Sequence, residues 1–323
     1  MAQKTQAFLE IIASFAPFAS LAFTFQMTES HLIQRIRQIC RPLAPLPTAT
    51  ASRLSRVSGI KAVLFDVYGT LFLSGSGDIS LASEMSNGQA LADALRSAGM
   101  RGRLDDAGIR GSAALREAIR RTHQSKKATG ATFPEVDIVA EWRAVLEELR
   151  ANGLIDGAIT PERARRVSVE YECRVNPVWP MPGILETLTG LREHRITLGI
   201  VSNAQFYTPL MFPALLNQTL GELGFAPELC AWSFELGEAK PSTALFHAAL
   251  EPLRSTCGML PEETLFVGND MRNDIWAAAQ CGVKTVLFAG DRRSLRLRED
   301  DPRCAILEPD AVIAALPELL AIC

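Results

Sequence analysis

The sequence lacks the paired cysteines and clustered histidines that hold structural metal ions. Its seven cysteines include no Cys-x-x-Cys pair, and an odd number cannot all be joined in disulfides. Its four histidines are scattered along the chain. A disulfide framework and a zinc site are therefore both disfavoured, and reduced thiols predict a cytoplasmic protein.

The chain also lacks a strong excess of charge of either sign. Its 33 Lys and Arg residues nearly balance 36 Asp and Glu residues, which gives a formal net charge of -3. This balance excludes a strongly basic nucleic-acid-binding protein, so we predict no nucleic-acid partner. Hydrophobic residues make up 48% of the 323 residues, which is enough for a large core. Nothing in the pattern indicates an oligomeric state.

No uninterrupted apolar run is long enough for a membrane helix. The most apolar stretch, Phe8–Phe25, is broken by a glutamate and a proline, whereas a membrane helix needs about 20 apolar residues. Three interpretations stay open: a translated extension upstream of a start at Met27, a partner-docking or membrane-surface helix, and a cleaved export signal. The prolines in 41–47 predict an extended linker. Residues 1–58 are therefore predicted to form an N-terminal extension, helical or disordered, without a stable membrane span.

Beyond residue 59, short apolar runs alternate with helical patterns. The runs end in polar or turn residues, as strands buried on both faces of a sheet do. This alternation predicts an α/β fold with a doubly wound, Rossmann-like parallel sheet. The predicted strands are Ala62–Asp66, Ile196–Ser202, Cys230–Ser233, Thr264–Gly268 and Lys284–Phe288, and the predicted helices around them are Gly183–His194, Ser242–Leu250, Asn273–Cys281 and Ala311–Ile322.

A long helical stretch separates the first predicted strand from the second. Four helical patterns lie in it, at Ala90–Ala98, Ser112–Ser125, Val136–Arg150 and Pro161–Arg174. We interpret residues 76–176 as an all-helical cap inserted into an α/β core formed by residues 59–75 and 177–323. The cap is expected to cover the carboxyl edge of the sheet.

Polar residues follow three of the predicted strands: Asp66, Ser202 and the segment Asn269–Asp274. Ligands of doubly wound sheets bind beyond the carboxyl ends of the strands, so these residues predict the site. A carboxylate such as that of Asp66 can act as a nucleophile and form an aspartyl-phosphate or an aspartyl ester. Asp270 and Asp274 lie one helical turn apart. If they converge with Asp66, a hard cation such as Mg2+ would relieve their repulsion.

A basic run lies near the C-terminal end of the chain. Its arginines are Arg292, Arg293, Arg296 and Arg298. Three acidic residues follow them, Glu299, Asp300 and Asp301. A phosphate-binding patch is one interpretation, but mixed charges of this kind favour a solvated face.

Four motifs resemble, in order, those of the haloacid dehalogenase superfamily. Asp66-Val-Tyr-Gly-Thr-Leu71 looks like its first motif, Val201-Ser-Asn203 its second, Lys240-Pro241 its third and Val267-Gly-Asn-Asp-Met-Arg-Asn-Asp274 its fourth. Each is weak alone, but the ordered set is specific and covers roughly residues 60–290. The helical insertion falls between the first and second motifs, where this family places its C1-type cap.

The resemblance implies a role for each polar residue of the first three motifs. Asp66 would be the nucleophile, and Ser202 would donate its hydroxyl to the transferring phosphoryl group. Lys240 would supply positive charge to the phosphate and to the acids. Thr70 and Asn203 would contribute to substrate binding or orientation.

The resemblance also implies a magnesium site. Its ligands would be Asp66, the backbone carbonyl of Tyr68 and an acid of the fourth motif. Asn269 stands where many members have an aspartate, so we expect Asp270 to bind the metal directly and Asp274 to act as an outer or alternative ligand.

Tyr68 is a departure from the phosphatases of this family, which commonly carry an aspartate two residues after the nucleophile. That aspartate protonates the leaving group and then activates water, and a tyrosine is a poor base near neutral pH. The 2-haloacid dehalogenases share the Asp-x-Tyr-Gly-Thr pattern. We therefore expect a Mg2+-dependent phosphatase of a small phosphorylated metabolite, with a metal-independent dehalogenase and a non-catalytic protein as alternatives.

Overall fold

A six-stranded parallel sheet forms the centre of the molecule. The computed structural model describes residues 29–75 and 84–323. The order of the strands across the sheet is β10, β9, β8, β1, β6, β7. Their bounds are β1 Ala62–Phe65, β6 Thr197–Ser202, β7 Phe225–Trp232, β8 Thr264–Gly268, β9 Lys284–Phe288 and β10 Ala311–Ile313. The predicted doubly wound α/β fold is confirmed.

Continuous apolar runs explain why β1 and β8 lie in the middle. Every residue of both strands is buried, and β1 pairs in parallel with β6 on one side and β8 on the other. Helices flank the sheet and cover these strands. In chain order the elements that follow the insertion are α6 Ile184–Glu193, α7 Thr208–Leu215, α8 Ser233–Leu236, α9 Ala244–Cys257, a 3-10 turn Pro261–Glu263, a π-helical segment Met271–Trp276, α10 Ala277–Gln280 and α11 Pro302–Ala305.

The predicted closing helix Ala311–Ile322 is wrong. The segment instead forms the edge strand β10 and a 3-10 helix, Leu316–Ala321. Ala311 lies opposite Val286 of β9, and all three residues of the strand are buried. Apolar residues at this spacing fit either structure, and pairing with β9 is a long-range contact that local periodicity does not report.

Four of the described helices lie between the short strands β2 Phe72–Ser74 and β5 Val178–Pro180, which pair antiparallel. They are α2 Glu84–Ser97, α3 Leu104–Ala128, α4 Ile138–Ala151 and α5 Pro161–Val175, with a two-residue strand pair β3 Arg101–Gly102 and β4 Ile155–Asp156 between them. Each begins or ends a few residues away from its prediction. The side chain of Asp137 caps α4, and Thr160 caps α5 with proline in its first turn, so both starts follow from local sequence.

The N-terminal extension packs on the rest of the chain where it is described. Residues 29–39 form a helix, α1, whose Leu32 and Ile36 are buried in the main hydrophobic core. Arg35 Nε lies 2.5 Å from Glu170 Oε1 on α5. None of the described helices is both long and apolar enough to cross a bilayer. The interpretations of Phe8–Phe25 fall outside the described residues.

Shortening Ile36 tests whether α1 is part of the folded unit. Ile36 is completely buried, so Ile36→Ala should lower the free energy of unfolding by about 2–5 kcal/mol through lost burial and a new cavity. Ile306 is 91% exposed, so Ile306→Ala is the matched control and should change little. Urea unfolding of both variants measures the difference. Equal, small effects would show that α1 does not pack there in solution.

Candidate active site

Asp66 directly follows β1, the strand in the middle of the sheet. Its amide donates to the carbonyl of Val267 on β8, so the backbone holds the residue at the carboxyl edge. The chain then turns sharply at Gly69, where φ is +83° and a Cβ would lie 2.4 Å from Cβ of Ser294. Only glycine fits this turn. The turn leaves the Asp66 carboxylate facing the space above the sheet.

A buried ammonium joins two carboxylates at this edge. Lys240 Nζ donates to Asp66 Oδ1 at 2.8 Å and to Asp274 Oδ1 at 2.6 Å, and it also contacts the carbonyl of Val201 at 3.0 Å. Ser202 Oγ donates to the same Asp66 Oδ1 at 3.1 Å. We call Asp66, Asp274 and Lys240 the acid–lysine cluster. Sequence analysis placed all three in one site, and the fold brings them into direct contact.

Electrostatics in the acid–lysine cluster favour a charged lysine. Burial opposes the ammonium, but Asp274 and Asp66 outweigh burial and raise the pKa of Lys240. Burial raises the pKa of Asp274 to about 7. Lys240 acts to lower this pKa, and repulsion from Asp66 and Asp270 acts to raise it further. Two acids therefore share one cation, and Asp274 is partly protonated near pH 7.

The fourth-motif acids point in different directions. Asp274 Oδ2 accepts from the amides of Asn269 and Asp270 at 3.0 and 2.9 Å, while its Oδ1 faces Lys240. Asp270 instead caps the π-helical segment and pairs with Arg298, whose Nη2 lies 2.6 Å from Oδ2. The acid expected to bind metal directly is thus engaged elsewhere, and Asp274 is the one beside Asp66.

Amide side chains fix two loops of the site. Asn269 Oδ1 accepts from Thr70 Oγ1 at 3.1 Å, and its Nδ2 donates to the Ser294 carbonyl at 2.6 Å. Because this position needs a donor as well as an acceptor, an amide fits it better than a carboxylate. Asn203 exchanges hydrogen bonds with the backbone of Lys240, at 2.6 Å to its amide and 3.2 Å to its carbonyl. Asn203 therefore positions the lysine.

The Tyr68 hydroxyl is directed towards α7. It lies 2.9 Å from Thr208 Oγ1 and 3.6 Å from Met211 Sδ. Burial, with a smaller contribution from the charge of Glu172, raises the pKa of Tyr68 well above its usual value. The phenol stays protonated near neutral pH and is not suited to proton transfer there.

A cavity of about 370 Å3 opens in front of Asp66. Of the predicted residues, six line it, and they are Asp66, Tyr68, Asn203, Lys240, Asp270 and Asp274. Thr70 and Ser202 are fully buried and contact the site from behind. The volume suits a small metabolite rather than a polymer.

Sequence reasoning missed the rest of the cavity wall. The missed polar residues come from the helical insertion, from the loop after β6 and from the basic run, and they include Glu135, Glu172, Asn176, Gln205, Tyr207, Ser294, Arg296 and Arg298. The interpretation of the basic run as a solvated face is wrong for Arg296 and Arg298. The amide of Arg296 donates to the carbonyl of Asn269, so backbone pairing brings this segment to the site.

Residues 60–282 match the family model of the haloacid dehalogenase-like hydrolases. The chain belongs to this family. The predicted family is thereby confirmed, and this haloacid dehalogenase-like protein is a hydrolase. Its site lies where the family model matches, except for the wall formed by the basic run.

Curated relatives of this hydrolase carry phosphatase names. It is 28% identical over 266 residues to a glyceraldehyde 3-phosphate phosphatase of Methanopyrus kandleri. The aligned region covers 80% of this chain and 98% of that protein. It is 28% identical over 204 residues to a phosphoserine phosphatase of Thermus thermophilus, covering 61% and 74%. A 2-haloacid dehalogenase structure from Pseudomonas syringae superposes with a TM-score of 0.52 at 23% identity, covering 81% of this chain and 97% of that one. That likeness shows the shared fold.

The donors in this hydrolase fit a hard divalent cation that brings its own water. Among the residues described, no group of three or more His, Cys, Asp or Glu side chains is arranged to hold an ion by itself. Mg2+ commonly uses only one or two carboxylates and keeps several waters. Asp66 and Asp274 supply two such carboxylates side by side, since both lie against Lys240 in the acid–lysine cluster.

Proposed function

We propose that this chain is a Mg2+-dependent phosphomonoester hydrolase of a small phosphorylated metabolite, with Asp66 as its nucleophile. The observation that carries the proposal is the acid–lysine cluster in the wall of the cavity. It combines a nucleophilic carboxylate with a buried cation that favours an incoming phosphate. The phosphatase names of the curated relatives support the same reaction.

The two oxygens of Asp66 have different surroundings. Oδ1 accepts from Lys240 and Ser202, whereas Oδ2 accepts no hydrogen bond from the described residues. Oδ2 retains its lone pairs for attack on phosphorus, and the donors on Oδ1 orient the carboxylate. Phosphoryl transfer to Asp66 releases the alcohol, and hydrolysis of the aspartyl-phosphate then restores the carboxylate.

The proposed metal ligands follow from the contacts of the two fourth-motif acids. Asp66, the backbone carbonyl of Tyr68 and Asp274 would hold Mg2+, because Asp274 lies beside Asp66 at the shared Lys240, whereas Asp270 is turned towards Arg298. When bound, Mg2+ would neutralise charge on the phosphate and in the cluster. This revises the ligand order expected from the sequence.

We further propose that residues 76–176 form a cap that selects the substrate. Glu172 and Asn176 bring this part of the chain into the wall of the cavity. The cytoplasm is the proposed location, because all seven cysteines are free thiols, as a reducing compartment maintains them.

A metal-independent dehalogenase is the second candidate. Two observations favour it: the acid–lysine cluster already neutralises part of its charge with Lys240, and Tyr68 stands where a phosphatase commonly has an acid. Displacement of halide by Asp66 would give an aspartyl ester rather than an aspartyl-phosphate. Halide release from 2-chloropropionate tests this alternative.

Metal removal separates the two reactions. We expect hydrolysis of 4-nitrophenyl phosphate to fall on the order of 100-fold in EDTA and to return with Mg2+, since a catalytic metal supplies several kcal/mol of charge stabilisation. Phosphate release with and without EDTA is the measurement, and Mg2+ binding can be followed separately by thermal shift. EDTA-resistant halide release without phosphate release would assign the dehalogenase instead.

A further inference from the structure

Phosphomonoester hydrolysis needs a proton donor that Tyr68 does not supply. An alkoxide leaves poorly unless it is protonated as the bond to phosphorus breaks. The Tyr68 hydroxyl contacts Thr208 and Met211, and burial holds its proton. If the proposed function is correct, either the substrate has a leaving group that departs unprotonated, or another side chain donates the proton.

Glu172 is a buried carboxyl group in the wall of the same cavity. It lies on α5, is 6% exposed, and lines the cavity together with Asp66. Its Oε1 accepts from Asn176 Nδ2 at 3.1 Å, and its carboxyl group also accepts from the Tyr207 hydroxyl. Both of these contacts are to neutral groups.

The neighbouring Glu170 shows that Glu172 differs from a structural acid on the same helix. Glu170 is held by Arg35 Nε at 2.5 Å and Arg174 Nη1 at 2.7 Å, and these hydrogen bonds outweigh burial and lower its pKa. Burial raises the pKa of Glu172, against smaller opposing effects of its hydrogen bonds from Asn176 and Tyr207. Glu170 is therefore an ion-paired carboxylate, whereas Glu172 retains its proton more readily.

The titratable groups closest to Glu172 are neutral near pH 7. Tyr207 donates to it from the loop after β6, Tyr68 faces the cavity from the turn after β1, and the buried thiol of Cys173 is adjacent on α5. Burial raises the pKa of both tyrosines, so they stay neutral near pH 7. The charged residues in the same cavity wall are Asp66, Glu135, Lys240, Asp270, Asp274, Arg296 and Arg298.

We propose that Glu172 is the general acid and base of this hydrolase, in place of the acid that Tyr68 replaces. In the first step Asp66 Oδ2 bonds to phosphorus and the bond from phosphorus to the leaving oxygen breaks. The electron pair of that bond stays on the leaving oxygen, which takes the Glu172 proton and departs as the alcohol. Asn176 and Tyr207 donate to the carboxylate that results.

The second step returns the proton. Glu172 takes a proton from a water molecule as the water oxygen bonds to the phosphorus of the aspartyl-phosphate. The bond from phosphorus to Asp66 breaks, its electron pair returns to the carboxylate, and inorganic phosphate leaves. Glu172 is protonated again, so the same side chain gives up a proton in the first step and takes one from water in the second.

A series of leaving groups tests this role in Glu172→Gln. We expect kcat/KM for alkyl phosphates to fall about 100-fold or more, because general acid catalysis contributes about that much, and kcat/KM for 4-nitrophenyl phosphate to change less than about threefold. Slow hydrolysis of the aspartyl-phosphate should also give a burst of 4-nitrophenol close to one equivalent of enzyme. Glu172→Asp, which keeps the acid, should restore part of the alkyl activity.

Control variants separate this role from a structural one. Glu162 lies at the exposed start of α5, so Glu162→Gln should leave kcat/KM unchanged for every substrate. An equal loss on alkyl and aryl substrates in Glu172→Gln, without a burst, would overturn the proton-transfer role while leaving the hydrolase proposal intact. Absence of phosphate release by the wild type from the whole series would overturn both proposals.

Discussion

Asp66→Asn is expected to lower phosphate release by about 10,000-fold or more, because no other group can replace the carboxylate that bonds to phosphorus. The change is nearly isosteric, and Oδ1 of the asparagine can still accept from Lys240 and Ser202. Removing one negative charge from the acid–lysine cluster should leave the fold stable. Steady-state hydrolysis of 4-nitrophenyl phosphate measures the loss, and mass spectrometry of quenched wild-type enzyme should detect one added phosphoryl group that the variant lacks.

The control for this experiment is an aspartate outside the cavity. Asp93 lies on the surface of α2 and pairs with Arg96, with 43% of its side chain exposed. Asp93→Asn should retain wild-type activity. Substantial phosphatase activity in Asp66→Asn would contradict the assignment of the nucleophile and direct attention to another acid in the cavity.

Lys240→Met should reduce both stability and activity. Lys240 is buried between two carboxylates, and removing one partner of a buried ion pair typically costs about 3–5 kcal/mol because the remaining charges lose their compensation. The loss of a buried positive charge next to the phosphate should also lower kcat by about 100- to 1,000-fold. Urea unfolding and steady-state kinetics of the same preparation measure the two effects.

A double variant separates the two effects of Lys240. In Lys240→Met combined with Asp274→Asn, one of the stranded carboxylates becomes neutral, so much of the lost unfolding free energy should return. Activity should not return, since the cation is still missing. A single variant that unfolds like the wild type would show that the ion pairs seen in the cluster do not form in solution.

The sequence predicted the sheet well where burial is complete. The runs that became β1, β6, β8 and β9 have apolar centres and are buried except for the first residue of β6 and of β9, which is typical of strands covered on both faces. The early part of β7 was missed because Pro227 and Glu228 interrupt its pattern. The edge strand β10 was missed because three apolar residues do not distinguish a strand from a helix.

The residues of the candidate site were predictable from the sequence, but the directions in which their side chains face were not. Asp270 and Asp274 are four positions apart, and spacing alone allows either to face Asp66. The choice is made by Arg298, which lies 28 residues further along the chain than Asp270 and pairs with it. Likewise the helix spacing gives each of Glu170 and Glu172 a partner four residues later, Arg174 and Asn176, but does not show their distant partners, Arg35 and Tyr207.

The basic run after β9 also limits what the substrates of named relatives indicate about the substrate of this protein. The family match ends at residue 282, yet Ser294, Arg296 and Arg298 form one wall of the cavity. That wall is tied in turn to the N-terminal extension, since the amide of Leu46 donates to Asp291 Oδ1 at 2.8 Å. Two proteins can therefore share the whole matched region and its reaction while accepting different molecules. The match over residues 60–282 covers the nucleophile, whereas part of the wall that a substrate would contact lies outside it.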